Sequence, residues 1–187
     1  RATDGPPPRF GHALAFDTRR RVVFLFGGWD SQPTNDCWRW NGTQWSQVTA
    51  AGPEPRWRHA MSFDTGRGVT VLFGGNGVGG RLRDTWEWDG TVWSLRSMSG
   101  PSARDNHILV YDSVRGATVL FGGLTDGGLN GETWEWDGSD WLLRTTSGPS
   151  ARFDHGALYD SARHSTLVMG GFDGAPRADS WNWNGQV

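Results

Sequence analysis

The sequence predicts an all-β protein built by repetition, and three observations predict it. The segment that opens at Gly52 is written again from Gly5, Gly100 and Gly148, at steps of 47, 48 and 48 residues. A Gly-Gly pair closes an apolar run in every copy, at Gly27/Gly28, Gly74/Gly75, Gly122/Gly123 and Gly170/Gly171. Two tryptophans spaced two apart then follow, at Trp38/Trp40, Trp86/Trp88, Trp134/Trp136 and Trp181/Trp183. A fixed period in this range marks a solenoid, a propeller or an array. At 187 residues the chain reads as a single domain over 1-187, with repeats at about 5-51, 52-99, 100-147 and 148-187.

Within each repeat the elements follow from local pattern. Gly-Pro marks the connection into the repeat, where proline fixes φ and offers no ladder donor. The first strand spans about Phe10 to Phe16, with His12, Leu14 and Phe16 on one face and the small Gly11, Ala13 and Ala15 on the other. Its turn, Asp17 to Arg21, matches Asp64 to Gly68 and Asp112 to Gly116, so the last turn residue is expected to be left-handed. Arg21 and His164 stand where the middle repeats have that glycine, and strain is expected there. The second strand, Val22 to Phe26, recurs as Val69 to Phe73, Ala117 to Phe121 and Thr166 to Met169. Its continuous apolarity predicts burial on both faces. Gly-Gly then allows close approach, expected beneath an aromatic ring, and this places Trp86 with Trp38, Trp134 and Trp181 in buried, glycine-lined space. Variable loops follow, at Trp29 to Asn35, Asn76 to Arg83, Leu124 to Gly131 and Phe172 to Ala178, where specificity is usually placed. The third strand carries the tryptophan pair, with Arg39, Glu87, Glu135 and Asn182 facing the other way. Asn41-Gly42, Asp89-Gly90, Asp137-Gly138 and Asn184-Gly185 are tight-hairpin signals leading to a fourth strand bearing Trp45, Trp93 or Trp141.

An apolar strand, Gly-Gly and then a tryptophan on the following strand, four times over nearly the whole chain, resembles the kelch repeat. The resemblance implies a β-propeller of four-stranded antiparallel blades, one per repeat, in which the fourth lacks its outer strand. In this frame Val187 falls at Val92 and Arg1 at Arg96, so residues matching Trp93, Ser94 and Leu95 are missing from the count. Residues 1 to 4 then read as the tail of a strand. The expectation is an excerpt of a longer propeller of about six to eight blades, or a half-ring that joins a second copy.

Composition excludes several classes. Net charge is −2 and the 18 basic residues are scattered, leaving no footprint for nucleic acid or an anionic membrane. All are arginine, which points to a GC-rich bacterial genome. No run of 18 apolar residues exists, so no membrane insertion is expected. Cys37 is the single cysteine, so no intrachain disulfide can form. The location favoured is extracellular or periplasmic. The 13 tryptophans are the expected source of cohesion, at roughly 4 to 6 kcal/mol each as an upper bound.

Candidate sites are the residues that recur or that break the repeat. Arg9, Arg56, Arg104 and Arg152 open the first strand of each copy. The plain reading is a bridge between neighbouring blades through the guanidinium donors. In kelch adaptors, arginines at this position line the channel mouth and hold acidic motifs, so the resemblance implies ligand binding there. The next residue varies as Phe10, Trp57, Asp105 and Phe153, a face tuned copy by copy. Trp57, Asp105, Trp29 and Phe172 are therefore grouped with the arginines as ligand-binding candidates. His12, His59, His107 and His155 also recur, and a repeated structural hydrogen bond is preferred to a metal ring. Asp105, Asp126, Asp154 and Asp173 near the expected mouth keep an enzymatic or calcium reading in play. The copper site of the galactose oxidase relatives of kelch proteins has no counterpart in Tyr111 and Tyr159, which stand for phenylalanine in a strand. No cofactor and no metal are expected. The leading reading is a non-catalytic binding module for a protein, peptide or carbohydrate, held by the loops after Gly-Gly and the arginine-containing connections. The rivals are an enzyme whose site at the mouth is completed from outside this chain, and an assembly component of an extracellular protein that self-associates or continues into further blades.

Overall fold

The computed structural model describes residues 4–186, and within them every regular element is a β-strand. The expected strand tail over residues 1 to 4 falls mainly outside this range. The first repeat forms β1 (Ala13–Asp17), β2 (Val22–Trp29), β3 (Pro33–Trp40) and β4 (Trp45–Val48), paired in that order. The second forms β5 (Arg56–Trp57), β6 (Ala60–Asp64), β7 (Val69–Phe73), β8 (Asn76–Gly77), β9 (Gly80–Arg81), β10 (Thr85–Trp88) and β11 (Trp93–Ser97). The third repeats this as β12 (Arg104–Asp105), β13 (Ile108–Asp112), β14 (Ala117–Phe121), β15 (Leu124–Thr125), β16 (Gly128–Leu129), β17 (Thr133–Trp136) and β18 (Trp141–Thr145). The fourth gives β19 (Gly156–Asp160), β20 (Ser165–Met169) and β21 (Ser180–Trp183). The main sheets thus run β1-β2-β3-β4, β6-β7-β10-β11, β13-β14-β17-β18 and β19-β20-β21, all antiparallel. Two small sheets, β5-β8-β9 and β12-β15-β16, cap the middle repeats. In the outer repeats they shrink to isolated bridges, Phe10 to Trp29 in the first, and Phe153 to Phe172 and Phe172 to Pro176 in the fourth.

Local chemistry sets the turns. In the first turn of each repeat the aspartate accepts backbone N–H groups three residues on, Asp17 from Arg20, Asp64 from Arg67 and Asp112 from Arg115. The turn then ends left-handed at Arg21, Gly68, Gly116 and His164, so two non-glycine residues carry φ of 57° and 52°. At the outer hairpins Asn41 Oδ1 accepts from Thr43 and Gln44, and Asp89 Oδ1 accepts from Thr91 and Val92.

The sheets stack through their first strands, β1 beside β6, β6 beside β13 and β13 beside β19. The core is the space between them. One layer joins Ala13, Ala15, Phe24 and Phe26 to Met61, Phe63, Leu72, Trp88 and Trp93, and the next joins Val71 and Phe73 to Leu109, Leu120 and Trp136. The apolar runs on β7 and β14 are buried on both faces for this reason, as their sequence predicts.

Two packing expectations are corrected. Trp38, Trp86 and Trp134 are only half-buried and Trp181 is 42% exposed, whereas Trp88, Trp93 and Trp136 are the enclosed rings. The ring against Gly-Gly is an imidazole and not a tryptophan: a Cβ at Gly74 would meet the Arg104 carbonyl at 2.7 Å and His107 Cε1 at 3.2 Å, and one at Gly75 would meet His59 Cβ at 2.7 Å. The pair exists because the next repeat's arginine strand and the repeat's own histidine pass there at backbone distance.

Candidate functional site

The recurrent arginines build four copies of one clip. Arg56 donates from both terminal nitrogens to Asp84, each at 2.7 Å, and from Nη1 to the Gly74 carbonyl at 2.9 Å. The half-buried Trp86 donates its indole N–H to the same Asp84 at 2.6 Å. The other copies are Arg9, Asp36 and Trp38, then Arg104, Glu132 and Trp134, then Arg152, Asp179 and Trp181. The arginine side chains are essentially enclosed. Burial alone would raise the acid pKa values, and the bonds from arginine and tryptophan outweigh it, so Asp36, Asp84 and Glu132 lie below the ordinary carboxylate range. The clip stays within one repeat. Neighbouring repeats are bridged instead by the arginine backbone, whose carbonyls at Arg104 and Arg152 accept from Gly75 and Gly123. Further ties run through the buried Glu87 and Glu135, which accept from the indoles of Trp136 and Trp183 in the following repeat at 2.9 and 2.8 Å.

Two residues beyond each arginine the chain turns left-handed in every repeat, at Gly11, Arg58, Asn106 and Asp154, with φ between 54° and 64°. The backbone links these turns: Arg58 N–H donates to the Gly11 carbonyl at 2.6 Å and Asn106 N–H to the Arg58 carbonyl at 3.0 Å. Together with the four histidines that follow them, they line one depression of about 220 Å³. Arg58 and Asp154 are exposed in it and Asn106 is half-exposed, so a cation, an amide and an anion share one rim.

Three of the histidines beneath approach the backbone of a phenylalanine in the preceding repeat, His59 at Phe26, His107 at Phe73 and His155 at Phe121. His59, His107 and His155 pack edge-on against Phe26, Phe73 and Phe121 of the preceding repeat, with ring centroids 5.5, 5.4 and 5.2 Å apart. Neither ring nitrogen of the three has a partner of good hydrogen-bond geometry among the described residues. Burial, with the neighbouring arginine charge, lowers His59 to about 3 and His107 well below its usual value. Burial also lowers His155 to about 4. They are neutral wedges at ordinary pH, and no cluster of three or more His, Cys, Asp or Glu placed to hold a metal ion occurs among the described residues.

The remaining candidates lie around this depression in two kinds of surroundings. Trp57 is central to an aromatic group, edge-on to Phe10 at 5.6 Å and tilted against Trp29 at 5.3 Å, with the Arg58 guanidinium 4.1 Å above its ring. Phe172 pairs with Phe153 at 5.6 Å and is 39% exposed. Asp105 is buried and bound to Arg81 at 2.9 Å, and Arg81 reaches on to the exposed Asp126 at 2.8 Å. Burial pushes the Asp105 carboxyl up, against the attraction of Arg81 and Arg58. Arg58 and Asn106 escape a reading of the sequence, because only the glycine at the matching position 11 hints at a left-handed turn there.

The chain matches no model of a known protein family, and comparison with curated proteins finds no match. No helix among the described residues is long and apolar enough to cross a membrane.

Proposed function

We propose that the chain is a kelch-type propeller, or part of one, acting as a non-catalytic binding module, and that its ligand sits in the depression ringed by Gly11, Arg58, Asn106 and Asp154. One observation carries the reading. These four positions share one backbone conformation and one place in the repeat, yet they are four different residues, while the clip beneath them keeps an arginine, an acid and a tryptophan in every copy. Repetition of the clip serves the fold, and variation above it serves recognition. The arginines of the clip are engaged by their own carboxylates, so recognition belongs to the next two residues, with the ring of Trp57 as a stacking surface beside Arg58.

The ligand class that suits this rim is a peptide or carbohydrate presenting both an acceptor for Arg58 and a donor for Asp154. Arrays of acidic, basic and mixed-charge peptides and of glycans, probed with the intact chain, test it. Hits that weaken about tenfold or more in Arg58→Asn or Asp154→Asn are expected, the loss typical of one charge-assisted contact. Hits indifferent to both substitutions would move the site elsewhere.

A further inference from the structure

A second site lies between the first and second four-stranded sheets, at the end of β1 opposite the depression, where the repeat is broken on its polar side. In the two following interfaces the same place holds a closed ionic node. Between the second and third sheets, Glu87 accepts from Arg67 at 2.5 Å and from the Trp136 indole N–H at 2.9 Å, and it lies 3.3 Å from Arg96. Arg67 also holds Asp64 at 2.6 Å. Between the third and fourth, Glu135 accepts from Arg115, from Arg144 at 2.6 Å and from the Trp183 indole at 2.8 Å, and Arg115 holds Asp112 at 2.7 Å. Each node sets two arginines against two carboxylates around one indole N–H.

At the first interface the counterparts are Asp17, Arg20, Arg39, Val48 and Trp88. Arginine stands in place of the glutamate and valine in place of the second arginine, so two arginines face one carboxylate. Arg20 holds Asp17 at 2.7 Å and turns its other terminal nitrogen to the Asp89 carbonyl. Arg39 is exposed and donates to Ser46 Oγ at 3.0 Å. Trp88 is 4% exposed and stacks on Phe24 at 5.1 Å. Its indole N–H, unlike those of Trp136 and Trp183, takes part in no hydrogen bond among the described residues. All five counterparts line one cavity of about 240 Å³, together with Phe24 and Gly90. An enclosed N–H without a partner beside a surplus positive charge calls for an acceptor from outside.

We propose that this cavity binds an aliphatic carboxylate, in the place that the Glu87 and Glu135 side chains take at the next two interfaces. The carboxylate accepts from the Trp88 indole N–H and from the guanidinium groups of Arg20 and Arg39, and its stem lies against Val48 and Phe24. One negative charge restores the two-against-two balance of the other nodes. Those two nodes define the chemistry of the headgroup, which a free acid and a glutamate side chain of a peptide share.

The test uses the whole isotope-labelled chain, with sodium propionate and the blocked peptide acetyl-Gly-Glu-Gly-amide as probes and sodium chloride at equal ionic strength as the control. The Trp88 indole N–H resonance, identified by its loss in Trp88→Phe, should move saturably with either acid and stay in place in chloride. Peptide binding about tenfold tighter than propionate assigns the site to a protein partner, and equal binding assigns it to a free acid. Arg39→Gln, a change at an exposed position, should weaken propionate about fivefold or more, the loss of one charge-assisted contact. Arg39→Glu supplies the missing carboxylate from within, so its Trp88 indole should already sit near the bound position and ignore propionate. The probes leave the unaltered chain untouched, so a folding defect in a variant cannot mask the answer. A Trp88 indole that ignores both acids, that follows chloride equally, or that responds to propionate undiminished in Arg39→Glu would overturn the proposal.

Discussion

At the scale of single residues, the neighbouring positions 56 and 58 separate fold from recognition. Arg56 is enclosed with its charge matched to Asp84, so Arg56→Ala strands a buried carboxylate and is expected to cost ~3 to 5 kcal/mol in urea unfolding. Arg58 is exposed and left-handed, a conformation asparagine tolerates, so Arg58→Asn should change stability by less than about 0.5 kcal/mol. The buried histidines add a pH dependence of definite sign. Their folded pKa values lie below the ordinary ~6.5, so the unfolded chain takes up protons first as pH falls. The stability is whole above about pH 6.5 and declines as pH drops toward the folded values, by up to ~1.4 kcal/mol per pH unit for each histidine. Unfolding free energies measured between pH 7 and pH 5 should fall steeply, and His59→Leu should remove about one proton from that slope. A flat profile would mean that the rings are hydrated.

At the scale of elements, most strands and turns were legible because each has a local cause. The aspartate turn, the Asn-Gly and Asp-Gly hairpins and the doubly buried β7 and β14 all follow from short-range chemistry in the sequence. What the sequence concealed is which ring is enclosed. The two tryptophans of the third strand look alike, but the first gives its indole N–H to the carboxylate of the clip and is only part-buried against the core, whereas the second is enclosed in it at Trp88 and Trp136. The clip itself was readable: an acid stands two residues before the first tryptophan in every copy, at Asp36, Asp84, Glu132 and Asp179. The acid becomes meaningful only when strand pairing brings it to an arginine 27 or 28 residues earlier. From this packing Trp93→Ala should cost ~3 to 5 kcal/mol, while Trp181→Ala, with its ring 42% exposed, should cost at most ~2 kcal/mol. Comparable losses at the two sites would show that the fourth sheet is as well covered as the second. Gly52→Ala, which sets a methyl against the Trp93 ring, should destabilise by ~1 to 3 kcal/mol.

At the scale of the whole molecule, repetition explains the architecture and departure from repetition explains the candidate site. The second and third sheets each use one face on the sheet before and one on the sheet after, and the first strands of all four stack in order, so four equivalent turns converge on a single depression. The convergence was not legible, because four positions 47 or 48 residues apart become neighbours only through the stacking of β1, β6, β13 and β19. The measurement closest to the central claim sets binding against stability for adjacent residues. Arg58→Asn, Asp154→Asn and Arg56→Ala would each be assayed against the strongest peptide or glycan hit, alongside their urea unfolding curves. The account predicts that the first two lose about tenfold or more in affinity at unchanged stability, and that Arg56→Ala loses stability. Full affinity in both rim variants, or a stable Arg56→Ala protein that no longer binds, would contradict it.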